Sequence, residues 1–106
     1  MPKKAKSVAE DGGAKKYVLR LYVTGSTSRS EQAIRNIRKI CQDELEDHYD
    51  LEIVDIYQQP ELASKDQILA APTLIRKLPL PLRKLVGDLS DKERVIAGLQ
   101  IVPKKK

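Results

Sequence analysis

The stretch YVLRLYVTGSTSRSEQAIRNIRKICQDELEDHYDLEIVDIY, residues 17–57, decides the fold. Tyr17 to Thr24 is a near-continuous run of aliphatic, aromatic and β-branched side chains that ends at Gly25 in a Ser/Thr cluster. It reads as a strand buried on both faces, followed by a turn. Ser28-Arg29-Ser30-Glu31 then has the spacing of a capping box, a hydroxyl and a carboxylate three residues later that satisfy free amides of a first helical turn. Ala33, Ile34, Ile37, Ile40, Cys41 and Leu45 recur at three- and four-residue intervals, while Arg35, Arg38, Lys39, Asp43 and Glu44 hold the opposite face. That pattern predicts an amphipathic helix. Leu51 to Tyr57 reads as a second strand, and strand, crossover helix and strand in this order give a right-handed parallel βαβ unit.

Beyond this unit, Pro60 suits the first turn of a short helix through Glu61, Leu62, Ala63, Asp66 and Ile68. Ala70 to Ile75 is expected to be extended, because the residue before Pro72 avoids helical angles. Pro79 and Pro81 interrupt the chain after it, and Leu82 to Val86 is expected to return as an edge strand; its pattern also permits helix from Leu82 onward. Ser90-Asp91-Lys92-Glu93 repeats the capping-box spacing, with Val95, Ile96 and Leu99 as the apolar face of a last helix. The order βαβ, α, ββ, α resembles the thioredoxin-like α/β topology, in which an extended segment with a cis-proline lies beside the active-site loop. Pro72 is by that analogy the candidate cis-proline, the alternative being an ordinary trans proline that opens a strand.

A chain of 106 residues accommodates one domain. With four Tyr, no Phe and no Trp, its core must be built from aliphatic side chains. Residues 1–16 hold five lysines against Glu10 and Asp11, and residues 104–106 are all lysine. The net charge of +5 therefore belongs to the ends, and the body between is nearly neutral. Residues 1–16 and 103–106 read as basic tails of disordered composition around a domain at 17–102. This distribution argues against nucleic-acid binding by the body. No apolar run is long enough to span a membrane, the N-terminal stretch lacks the core of a secretory signal, and a cytoplasmic protein is expected.

Thioredoxin-like enzymes place Cys-x-x-Cys where the first helix begins and lowers a thiol pKa. Here that place reads Gly25-Ser26-Thr27-Ser28, without a thiol. Cys41, the single cysteine, falls on the apolar stripe of the first helix as a small buried hydrophobe. His48, beside Glu46 and Asp47, has no cysteine at ligand spacing and reads as a solvated loop residue, not a metal ligand. The hydroxyls at 26–30 lack the glycine pattern of a phosphate loop and are expected to cap the helix. No catalytic residue, cofactor or metal site is expected. Arg76, Lys77, Arg83 and Lys84 cluster around the proline-rich connection and flank Leu80 and Leu82, which reads either as a solvated face or as an interface.

Five segments carry a resemblance to a known family: residues 17–25, 53–56, 60–63, 68–74 and 86–90. In order and almost without gaps they resemble the bacterial circadian-clock KaiB family. That resemblance implies a non-enzymatic partner of the ring-shaped ATPase and autokinase KaiC. It also implies a tetramer of a different fold (βαββααβ) that converts rarely to a thioredoxin-like monomer able to bind KaiC and, in clocks, KaiA. Carried over by residue, Gly87 and Asp88 match a Gly-Asp pair whose substitution biases the switch, and Tyr49 matches a Tyr near the second strand. Arg76, Arg83 and Lys84 fall at basic positions and become the expected KaiC contacts. Gln32 and Glu52 stand where clock-type members carry Arg and Lys, which weakens the case for identical contacts and leaves room for a timing or stress role outside a full oscillator. The alternatives are a sensory input domain similar to that of the clock-associated histidine kinase, which would be joined to a kinase, a thiol oxidoreductase relying on Cys41, or nucleic-acid binding by the lysine tails.

Overall fold

A computed structural model describes residues 16–46 and 48–101. Strand β1 (Tyr17–Val23) leads into helix α1 (Ser28–Glu44) and strand β2 (Tyr49–Asp55). Helix α2 (Pro60–Lys65), strands β3 (Thr73–Leu78) and β4 (Arg83–Val86) and helix α3 (Lys92–Leu99) complete the chain order. The strands form one sheet in the order β2-β1-β3-β4, with β1 and β2 parallel and the β1–β3 and β3–β4 pairs antiparallel. Tyr22 faces Val54 and Thr73 across the ladders, and Thr73 faces Val86. The C-terminal ends of β1, β2 and β4 and the start of β3 therefore meet at one end of the sheet.

Alternation along the strands divides the core in two. Leu19, Leu21, Val23 and Leu74 pack with Ala33, Ile37, Ile40 and Cys41 of α1 and with Val95 and Leu99 of α3. On the other face Tyr22, Val54 and Ile75 pack against Ala63, with Ile56, Leu62 and Ile68 at the margin. Each fully buried Leu or Ile contributes about 1.5–3 kcal/mol, so the first cluster supplies most of the apolar stabilisation. Among the described residues, α2 is the one helix on the second face, and it has six residues. No helix among the described residues is long and apolar enough to cross a membrane.

The expected order of elements is present, with shifted boundaries. Both capping positions lie one residue from the expected ones. Thr27 caps α1, its side chain accepting from Ser30 N, and Asp91 caps α3, accepting from Arg94 N. In each case a neighbouring residue also had a suitable side chain, and spacing alone does not choose between them. β2 begins at Tyr49 and ends at Asp55, so Tyr57 lies beyond it and is 74% exposed. α2 stops at Lys65, leaving Ile68 outside the helix but still against the second cluster. Residues 83–86 are strand, which overturns the helix permitted from Leu82: their exposure alternates, and Leu85 alone of Leu85 and Val86 reaches the core. Except for Lys16, the expected tails at 1–16 and 103–106 lie outside the described residues, as does Val102.

Candidate functional site

Three loops converge at the end of the sheet where β1, β2 and β4 finish. The first, Thr24 to Thr27, turns through Gly25 at φ +60° beside the Tyr57 ring. Two hydroxyls serve the backbone here. Thr27 Oγ1 accepts from Ser30 N at 3.2 Å, and the fully buried Ser30 Oγ accepts from Thr24 N at 3.0 Å. The second loop ends in the cis Ala71–Pro72 bond, and Thr73 Oγ1 donates to Ala70 O at 2.7 Å. The Leu78–Pro79 and Leu80–Pro81 bonds are also cis.

The third loop is the Gly87-Asp88-Leu89 turn. Gly87 N donates to Pro72 O at 3.0 Å, tying this turn to the second loop. Gly87 has φ +133° and Leu89 φ +63°, so two closely spaced departures into left-handed backbone reverse the chain into α3. Asn36 Nδ2 donates to Asp88 O at 2.8 Å, anchoring the turn to α1. Hydrogen bonds from Ser90, assisted by the charge of Arg29, hold the Asp88 carboxyl below its ordinary range. Beside these loops Tyr57 and Leu69 are exposed, Leu69 by 97%, next to a shallow groove lined by Ile56, Pro60, Ala63 and Ile68. This end presents apolar side chains and backbone turns, with no thiol there among the described residues.

The basic residues expected to act together are separated. Arg76 and Arg83 pair across the β3–β4 ladder on the α3 side, whereas Lys84 projects to the α2 side. Arg76, expected as a partner contact, is 3% exposed in this fold. Its Nη1 donates to Leu99 O at 2.7 Å and Gln100 O at 3.2 Å, and its Nη2 donates to Pro81 O at 2.7 Å. The guanidinium thus satisfies carbonyls that α3 leaves open at its C-terminus, where the helix dipole favours a cation. Lys84 Nζ donates to Asp66 O at 2.7 Å. Arg83 is half-buried, and its side chain has no hydrogen bond or ion pair among the described residues.

Sequence reasoning missed a polar hub at Asp66, the residue directly after α2. Its carboxylate, whose side chain is 9% exposed, receives Tyr22 Oη at 2.6 Å, Lys77 Nζ at 3.0 Å and Arg20 Nη1 at 3.2 Å. Arg20 reaches on to Glu52 at 3.0 Å. Burial pushes the Asp66 carboxyl up, but the hydrogen bonds from Tyr22 and Lys77 and the charges of Lys77 and Arg20 prevail and hold it low. The signal for it in the sequence was Arg20, the one charge inside the apolar run of β1.

Cys41 is buried within α1, and desolvation pushes its thiol up to about 12, the reverse of an activated nucleophile. His48 is half-buried in the turn between α1 and β2 and not fully solvated. Its backbone N–H donates to Leu45 O, and its carbonyl accepts from Tyr17 N. Among the described residues no group of His, Cys, Asp and Glu could hold a metal ion.

Comparison with known proteins bears on this arrangement. Residues 20–101 match the family described as the KaiB domain. The chain is 52% identical over 86 residues to the circadian clock protein KaiB3 of Synechocystis sp. strain PCC 6803, covering 81% of this chain and 84% of that one. It is 48% identical over 88 residues to the circadian clock oscillator protein KaiB of Nostoc punctiforme, covering 83% and 85%. In fold it is similar to the N-terminal domain of Synechococcus elongatus SasA, with TM-score 0.67 at 21% identity over 82% of this chain and 86% of that one. It is also similar to oxidised mitochondrial thioredoxin 3 of Saccharomyces cerevisiae, with TM-score 0.66 at 14% identity over 81% and 78%. The two structural likenesses establish a thioredoxin-like fold.

Proposed function

The chain belongs to the KaiB family of circadian clock proteins, and on that premise we propose that it is a non-catalytic cytoplasmic protein that binds a KaiC-type ATPase and autokinase ring. By binding it modulates the ring's phosphorylation and ATPase cycle in circadian timing or stress adaptation. The observation that supports this most directly is the β1–α1 loop. A thioredoxin-like scaffold has there hydroxyls in place of thiols, and those of Thr27 and Ser30 accept from the backbone of the loop and the first turn of α1. Its shape remains available for recognition. Arg83 and Lys84 are the candidate partner contacts, while Arg76 acts inside the protein in this fold. KaiA or a histidine kinase would be further partners.

Exchange with a tetramer of the second family fold belongs to the same proposal, with Gly87 and Asp88 as the switching turn. That turn depends on a few specific attachments, Asn36 to Asp88 O and Gly87 N to Pro72 O, and it precedes a helix of only eight residues. A binding-competent state that is a minor fraction lowers apparent affinity by that fraction. The likeness in fold to the SasA N-terminal domain favours one second reading, a sensory input domain similar to that of the clock-associated histidine kinase.

Pull-down of the purified chain with a KaiC-type ring in ATP and in ADP, with Asp88→Arg alongside, tests the first reading. Capture of the wild-type chain is expected, and a change in its rate or extent in the variant. No capture in any nucleotide state sinks it. Light scattering at several concentrations tests the exchange, which predicts both a tetramer and a monomer.

A further inference from the structure

The tip of the β3–β4 hairpin lies at the opposite end of the sheet from the three converging loops. From Gln67 to Gly87 the chain contains no Asp or Glu, yet it carries Arg76, Lys77, Arg83 and Lys84. Within that stretch Leu78, Leu80 and Leu82 are exposed by 46%, 73% and 45%. Three large aliphatic side chains exposed together at one loop are unusual for a surface that meets only water.

The charges nearby are unevenly satisfied. Lys77 pairs with Asp66, Lys84 meets the backbone carbonyls of Asp66 and Gln67, and Arg76 meets three carbonyls. Arg83 sits directly across the ladder from Arg76, cation opposite cation, a placement that costs stability on a sheet. It is half-buried, its Nε is sealed from water without a partner, and no carboxylate among the described residues reaches it. Restricted by these surroundings, Arg83 is poised to pair with an anion at little cost in side-chain ordering. Arginine at the margin of exposed aliphatic side chains is also a frequent anchor of protein interfaces.

We infer that the hairpin tip, Leu78, Leu80 and Leu82 with Arg83, is a docking surface for a partner-protein segment that alternates acidic and aliphatic side chains. The leucines bury the aliphatic groups, and Arg83 takes a carboxylate, relieving its repulsion with Arg76. The inference deepens the binding reading above and rests on it for the existence of a partner. It commits to the chemistry of the partner's surface, which that reading leaves open.

The test titrates the full chain, labelled with nitrogen-15, with a short synthetic peptide of alternating Glu and Leu, and separately with its Gln and Leu counterpart. Shifts at residues 78–83 with the first peptide are expected, about tenfold weaker with the second, as for loss of one charged anchor. The same weakening is expected in Arg83→Gln, with partial recovery in Arg83→Lys, and in Leu80→Ser, whose exposed site leaves the fold intact. Binding should also weaken as salt rises. No shifts at the hairpin, or equal shifts with the two peptides, overturn the inference whatever the KaiC-type ring does. A ring that fails to capture the wild-type chain, while the peptide binds as described, overturns the ring reading and leaves the inference standing.

Discussion

Replacing Arg76 by Met keeps most of the aliphatic stem and deletes the guanidinium that joins β3, the Pro81 turn and the end of α3. Three carbonyls lose a donor, two of them bonded at 2.7 Å. Hydrogen bonds to a charged group contribute about 1.5–3 kcal/mol each, so the two short ones represent about 3–6 kcal/mol. Part of this is offset because the variant no longer dehydrates a buried cation whose Nε already lacks a partner. A net loss of about 3 kcal/mol is expected, a large share of the roughly 5–15 kcal/mol that a domain possesses. Urea unfolding followed by circular dichroism at a fixed protein concentration measures it. With a slope of about 1 kcal/mol per molar urea, the midpoint should fall by about 3 M. Arg76→Lys should recover less than half of the loss, because a point ammonium on a flexible stem cannot span carbonyls from two segments. An Arg76→Met variant within about 1 kcal/mol of wild type, or an Arg76→Lys variant equal to it, would refute the structural role assigned to this guanidinium.

Asp66→Asn should cost about 1–3 kcal/mol by unpairing Lys77 and Arg20. Because the folded carboxyl is held below its ordinary value, its contribution is complete above the unfolded pKa and disappears as pH falls through the folded one. Wild type should therefore lose stability on acidification below about pH 4, and the variant less steeply; parallel pH profiles would contradict the hub. Thr27→Ala should lower stability by about 1 kcal/mol while Ser28→Ala stays close to neutral, and thermal melts that reverse this order would return the cap to Ser28. Cys41, buried and with its thiol pKa pushed up to about 12, should react with a disulfide reagent at mildly alkaline pH only after denaturant is added. Prompt reaction of the native protein would show that α1 opens around it.

The βαβ unit and the order of the elements were legible because burial imposes periodicity. Leu19 and Leu21, then Ile37 and Ile40, then Val54 repeat at the spacing of the element that buries them. Boundaries were less legible at 27–28 and 90–91, where adjacent hydroxyl and carboxylate residues could each cap a helix, and backbone direction made the choice. At the candidate site, Gly87 and Asp88 stood out through the family resemblance, and their contacts with Pro72 and Asn36 were not legible. Of the Asp66 hub only Arg20, a charge inside an apolar strand, was conspicuous, because its members lie on α2's end, β1 and β3, and no sequence period relates them.

Arg76 and Arg83 state the division most clearly. By itself the sequence determined that residues 67–87 would be basic and apolar without a single carboxylate, because composition survives any arrangement of the chain. Only the tertiary structure decided which of those cations is spent inside the protein. The pairing of β3 with β4 and the ending of α3 beside it turn Arg76 inward onto three carbonyls and leave Arg83 across the ladder without a partner among the described residues. Hydrogen bonds and ion pairs act over about 3 Å, and the chain brings residues that far apart in sequence to that distance only once it has folded.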